Sequence, residues 1–378
     1  MKRIALAVVQ ILVLFFAFTV TVSADRVYEF EAQSLSRENE KNELSELVES
    51  LPEDIRESLP EDADKGVEGY TFDYFWDRIS KALKDSLDPF FGTVSLLLGT
   101  VILAATFHSL ADNLGTGSKS VFSFCSSLCV CLCVYGALEG VFAVVDGMLS
   151  VMSDTMLVMI PAMEAVYISA GNLTSAAVTA TGTQLMIGFT QTLFSKLLGP
   201  FVFMSFVLAA VASVTKNGGV GYMSRTLRGM ITGALVIIMS LFTFVLSVQV
   251  MGAQAQDTLT AKTVRFAIGS YVPIVGANVA ESFSVISAGL SVIKQGCGIT
   301  GIVVMIISFL GPFVSLMLSR LAVGISGAVA GMLGCEREGL LLEECKGICT
   351  LLIAVSAGAV GMYIIALGIF CRTSLAGG

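Results

Sequence analysis

Apolar runs of about twenty residues, separated by more polar breaks, dominate the chain from Phe90 onward. They cover roughly Phe90 to Ala111, Val121 to Val145, Leu197 to Val214, Gly229 to Met251, Ile299 to Leu318 and Ile348 to Phe370. About 20 residues of helix cross the hydrocarbon of a bilayer, so the pattern predicts six membrane-spanning helices. Two further segments, Thr155 to Gly171 and Phe266 to Ile293, are apolar but interrupted, one by Pro161 and Glu164, the other by Pro273, Asn278 and Glu281. Either could form a re-entrant hairpin or two crossings.

Ahead of the first span the pattern changes. Lys2 and Arg3, an apolar stretch from Ile4 to Val22, and Val22-Ser23-Ala24 before Asp25 have the three parts of an export signal. Cleavage after Ala24 is the expected outcome, with an uncleaved anchor as the alternative. From Asp25 to about Asp88 the chain is polar, with a helical stripe of Leu44, Leu47, Val48 and Leu51 and two copies of Leu-Pro-Glu-Asp. The aromatic stretch Tyr70 to Leu87 suits a membrane surface. The expected fold is an all-α, polytopic membrane protein behind a small helical exported region.

The apolar part repeats. Asp88-Pro89-Phe90, Gly199-Pro200-Phe201 and Gly311-Pro312-Phe313 recur at about 111 or 112 residues, and Pro161 and Pro273 each precede the next Gly-Pro-Phe proline by about 39. The expected organisation is a signal at 1–24, an acidic exported region at 25–88, membrane repeats at 89–198 and 199–310, and a partial repeat at 311–378. Lys119, then Lys216, Arg225 and Arg228, then Arg320, Arg337 and Lys346 mark the loops after the Pro-Phe helices as cytoplasmic. Each Pro-Phe helix then runs inward and its successor outward, so the repeats are parallel.

Composition supports lipid as the solvent: 55% of residues are hydrophobic, 14% are charged and the mean hydropathy is +0.83. The net charge of -8 is a local effect, because about fifteen acidic and about five basic residues fall between Asp25 and Glu68. None of the nine cysteines lies in the exported region, which argues against a disulfide scaffold.

Candidate chemistry is sparse. Cys125, Cys129 and Cys133 share a helical face and Cys131 does not, a spacing that favours helix-interface packing over a metal cluster. His108 is the only histidine; with Asp112 one turn on it could relay protons, but it builds neither a metal site nor a triad alone. Glu164 and Glu281 each follow a repeat proline inside apolar sequence, where a carboxylate marks a pathway or an assembly contact, with Lys196 and Lys294 as candidate counter-ions. Pro200 and Pro312, each after a glycine, are candidates for breaking a helix and freeing carbonyls to line a cavity. Gly218-Gly219-Val220-Gly221 lacks the Lys-Ser/Thr of a phosphate loop, and no basic patch with interleaved aromatics suggests nucleic acid. No cofactor, metal or catalytic residue is expected.

The signal, the acidic exported region and the repeated Pro-Phe spans, with text such as Leu198-Gly199-Pro200-Phe201 and Ile160-Pro161 followed by Ile168-Ser169-Ala170-Gly171, resemble the stage III sporulation protein AE family of endospore-forming bacteria. The likeness extends from the signal to Arg372. It implies a non-enzymatic, multi-pass subunit of the channel or secretion-like complex joining mother cell and forespore, in the mother-cell-derived outer forespore membrane. The implied partners are the cytoplasmic ATPase, stage III sporulation protein AA, the exported ring proteins AG and AH, and stage II sporulation protein Q of the forespore. The competing expectation is a self-sufficient secondary transporter with Glu164 and Glu281 as coupling carboxylates.

Overall fold

The computed structural model describes residues 72–112, 116–215, 218–271 and 276–372, together with Glu49. The export signal, the rest of the acidic region before residue 72 and Pro273 lie outside the described residues. Among the described residues seven α-helices follow in order: α1 (Phe72–Asp112), α2 (Thr116–Ser169), α3 (Leu173–Thr192), α4 (Gly199–Thr215), α5 (Gly218–Tyr271), α6 (Gly276–Met332) and α7 (Glu336–Arg372). A π-helical turn, Leu193–Leu198, joins α3 to α4. The described part is all-α, and α1, α2, α5, α6 and α7 are each long and apolar enough to cross a membrane. The remaining expected span, Leu197 to Val214, falls on the shorter apolar helix α4.

The interrupted segment at Pro161 departs from expectation. Pro161 sits inside α2, which continues unbroken to Ser169. Proline removes one hydrogen bond and crowds the preceding turn, at about 3 kcal/mol. Met156, Met159, Ile160, Met163, Val166 and Tyr167 are all buried around it, and their combined packing outweighs that loss. The chain reverses only at Gly171, whose φ of 77° favours a residue without a Cβ. The segment is therefore the far end of a 54-residue helix that turns back into α3. At 1.5 Å per residue α2 and the equally long α5 each reach about 81 Å, well beyond a hydrocarbon core of about 30 Å.

Proline has a different effect at Pro200. It cannot donate to the carbonyl four residues back, and the helix widens into the π turn immediately before Gly199-Pro200. Pro89 and Pro312, by contrast, lie inside continuous helices. Because α1 runs through Pro89, the aromatic stretch from Phe72 onward and the first apolar run form one rod.

Helix α7 forms the centre of the bundle. It packs against α6, α5, α2 and α4, and 61% of its most apolar window is buried, against 17–33% in the other four long helices. Gly334, at φ 74°, closes α6, with the Cys335 amide donating to the Ala330 carbonyl at 2.9 Å. Glycines let α6 and α7 approach closely: a Cβ at Gly327 would lie 3.3 Å from the Leu342 Cβ.

At the Gly171 end, α3 is capped from another helix. Asp257 of α5 is buried and accepts hydrogen bonds from the backbone amides of Thr174 (3.1 Å) and Ser175 (2.7 Å). A carboxylate here satisfies two orphan donors and complements the positive end of the α3 dipole. Asp257→Ala should lower stability by about 1 kcal/mol. Hydrogen exchange at the start of α3 should show the loss locally, whereas unchanged protection there would remove the capping role.

Candidate functional site

Residues Glu336 to Glu344, which read as part of a polar loop in the sequence, form the first turns of α7, and two of their carboxylates face inward. Glu338 and Glu344 are exposed by only 1% and 3%. They carry the polar chemistry of the end where α1, α4 and α6 finish and α2, α5 and α7 begin.

Glu344 anchors α5 to α7. Arg225 Nε donates to its Oε1 at 2.6 Å and Arg228 Nη2 donates to its Oε2. Arg228 also donates through Nη1 to Ser224 (2.8 Å) and to Ser205 of α4 (3.4 Å). One carboxylate and one guanidinium thus tie three helices, and both are buried, with side-chain exposures of 4% and 10%. Gly347 makes room for this: a Cβ there would sit 2.9 Å from Arg228 Nη2.

Glu338 lies one to two turns closer to the helix start. Ser126 and Ser127 of α2 donate to its Oε1 at 3.3 and 3.1 Å, and His108 Nε2 of α1 lies 3.3 Å from the same oxygen. Cys335 completes the group, and Sγ, the imidazole nitrogen and the carboxylate oxygen all fall within 4.8 Å of one another. Burial, reinforced by the Glu338 carboxylate, raises the Cys335 thiol above its ordinary pKa. Oε2 of Glu338 is buried with no hydrogen-bond partner among the described residues.

The described residues singled out from sequence are divided between the two ends of the bundle and its middle. His108 joins the Glu338 group, and the side chain of Asp112 lies outside the described residues. Glu164 is half-buried near the far end of α2 and forms no ion pair among the described residues. Glu281 lies on the backbone of α6, with its side chain outside the described residues. Lys294 is buried at that far end, its ammonium 5.1 Å from the Tyr167 ring centre and 5.3 Å from that of Phe370. Lys196 is exposed on the π turn. Pro161 and Pro200 are exposed and Pro312 is half-buried. Cys125 and Cys129 face outward, so the shared cysteine face is not the helix interface; Cys131 is the buried one.

The pattern that defines the family described as Stage III sporulation protein AE matches residues 54–374. The chain belongs to this family. The match takes in every described helix, including both buried carboxylates of α7. Stage III sporulation protein AE of Bacillus subtilis (strain 168) is 24% identical over 244 residues, which is 63% of this chain and 61% of that protein. The alignment therefore spans less than two thirds of that relative. No solved structure matches the chain. Family membership makes this a sporulation protein, and its helices make it a multi-pass membrane protein.

The buried carboxylates were visible in the sequence only through helical phase. Extending the α7 stripe of Leu341, Leu342, Cys345, Ile348, Cys349 and Leu352 back by one turn lands on Glu338. The partners of Glu344 carry no such mark, since Arg225 and Arg228 read equally well as positive-inside charges.

Proposed function

We propose that this chain is a non-enzymatic membrane subunit of the complex joining mother cell and forespore, acting as a scaffold or as one wall of a multi-chain pore. The observation that carries this reading is the position of α7. A solute path along the axis of one chain would have to displace this central helix and the buried Glu344–Arg228 pair. Any conduit therefore lies between chains, and the single bundle serves as a rigid unit of an assembly.

Orientation follows from charge. Arg225, Arg228, Arg337 and Lys346 gather at the Glu338–Glu344 end, which by the positive-inside rule faces the mother-cell cytoplasm. The start of α1 then faces the opposite side, in agreement with an exported acidic region before it. On this reading the chain sits in the outer forespore membrane, its acidic region lies between the two cells, and the exported ring proteins AG and AH and forespore protein Q are its partners there. The cytoplasmic end is left for the ATPase AA.

Deleting the gene is expected to halt forespore development after engulfment, and the tagged chain is expected to co-purify with the cytoplasmic ATPase from sporulating cells. Normal spores from the deletion strain would overturn the reading. So would purified chain that alone moves a solute across liposomes under an ion gradient, which would favour a self-sufficient transporter.

A further inference from the structure

We propose that His108, Cys335 and Glu338 form a binding site for a divalent transition metal of the zinc class at the cytoplasmic end of the bundle. The three ligands come from separate places: His108 from the last turns of α1, Cys335 from the α6–α7 turn and Glu338 from the first turn of α7. Their donor atoms already converge within 4.8 Å. Imidazole nitrogen, thiolate sulfur and carboxylate oxygen at about 2.0–2.3 Å from one ion stand about 3.3–3.8 Å from each other. His108 and Glu338 meet that separation at 3.3 Å, and the other pairs, within 4.8 Å, need to draw in by at most about 1 Å.

A second observation points to a ligand. Glu338 is 1% exposed, and its Oε2 has no hydrogen-bond partner among the described residues, although a buried carboxylate oxygen is costly to leave unsatisfied. Oε1 is saturated in comparison, with two serine hydroxyls and the histidine around it. An ion between the two oxygens and the neighbouring sulfur satisfies the orphan atom and neutralises the group. The serines then act as outer supports that hold the carboxylate in place, as is usual around metal ligands. The His108 side chain is 30% exposed, which leaves an entry path.

Three protein ligands leave a fourth position for water or for a side chain from a partner. The ion would fasten α1, which leads from the exported region, to the central helix. Sequence alone discounted this because one histidine specifies no metal; the cysteine and the glutamate that complete the set are more than two hundred residues away.

The test uses the full chain in detergent, stripped with chelator and titrated with zinc(II) and with cobalt(II). The expected result is about one ion per chain and, with cobalt, a near-ultraviolet thiolate charge-transfer band. Cys335→Ser should abolish the band. Cys335→His should keep bound zinc while losing the band, which separates a ligand role from a folding defect. Ser127→Ala should weaken binding about 10–100-fold. No stoichiometric metal, or a band that persists in Cys335→Ser but vanishes in Cys131→Ser, would overturn the assignment.

Discussion

Glu344→Ala should lower the unfolding free energy of the detergent-solubilised protein by about 3–5 kcal/mol, because it leaves Arg228 buried without its counter-charge. Arg225 can swing its head into water, being 60% exposed, but Arg228 has no such exit. Ser224 and Ser205 hold its guanidinium from one side and the Gly347 backbone closes the other. The hydroxyls solvate the cation only in part. Replacing the whole pair, with Arg228→Met and Glu344→Leu together, should recover most of the loss, since a buried pair contributes little over apolar groups of similar size. Arg225→Ala should change stability by no more than about 1 kcal/mol. Denaturant titration of these three variants against the parent protein reads each effect. If Glu344→Ala were no worse than Arg225→Ala, the pair would not be the anchor of α5 on α7.

What the sequence pattern reveals of the fold and what it conceals divide along a physical line. Hydropathy found each apolar run, because a membrane helix must bury about twenty apolar residues whatever its neighbours do. It could not say how far each helix continues past the run. Pro161 and Pro89 looked like boundaries because proline costs a hydrogen bond locally, whereas the packing that overrides this comes from other helices. The same limit applies to the carboxylates. Glu164 stood out in the sequence because it sits among apolar residues, yet the structure leaves it half-buried and unpaired with any described charge. Glu338 and Glu344 were hidden in a stretch with Glu336, Arg337, Glu343 and Lys346 that reads as solvated. Their burial is decided by which faces α2, α4 and α5 present to α7, and one chain's sequence does not state that pairing. Glycines were ambiguous for the same reason, since a close approach needs two helices.

Gly298→Ala should cost about 1–3 kcal/mol, through overpacking at the far end of the α6–α7 contact. An added Cβ would lie 2.1 Å from Cys371 Sγ and 3.3 Å from Phe370 Cδ1. The sulfur is one torsion from the backbone and has few helical rotamers to retreat into. Phe370 is itself fully buried against Tyr167, their rings 5.4 Å apart and nearly perpendicular, so a shift there propagates into α2. Gly301→Ala is the natural control. Its nearest obstacle, at 2.7 Å, is Met159 Cε, the free end of a flexible side chain, so this variant should lose less. Cys371→Ala removes the obstructing sulfur, and combined with Gly298→Ala should restore a thermal midpoint close to that of Cys371→Ala alone. Such coupling between two sites is expected only when the residues touch. Additive losses in the double variant would mean that α6 and α7 do not meet at Gly298, and the central placement of α7 would have to be redrawn at that end.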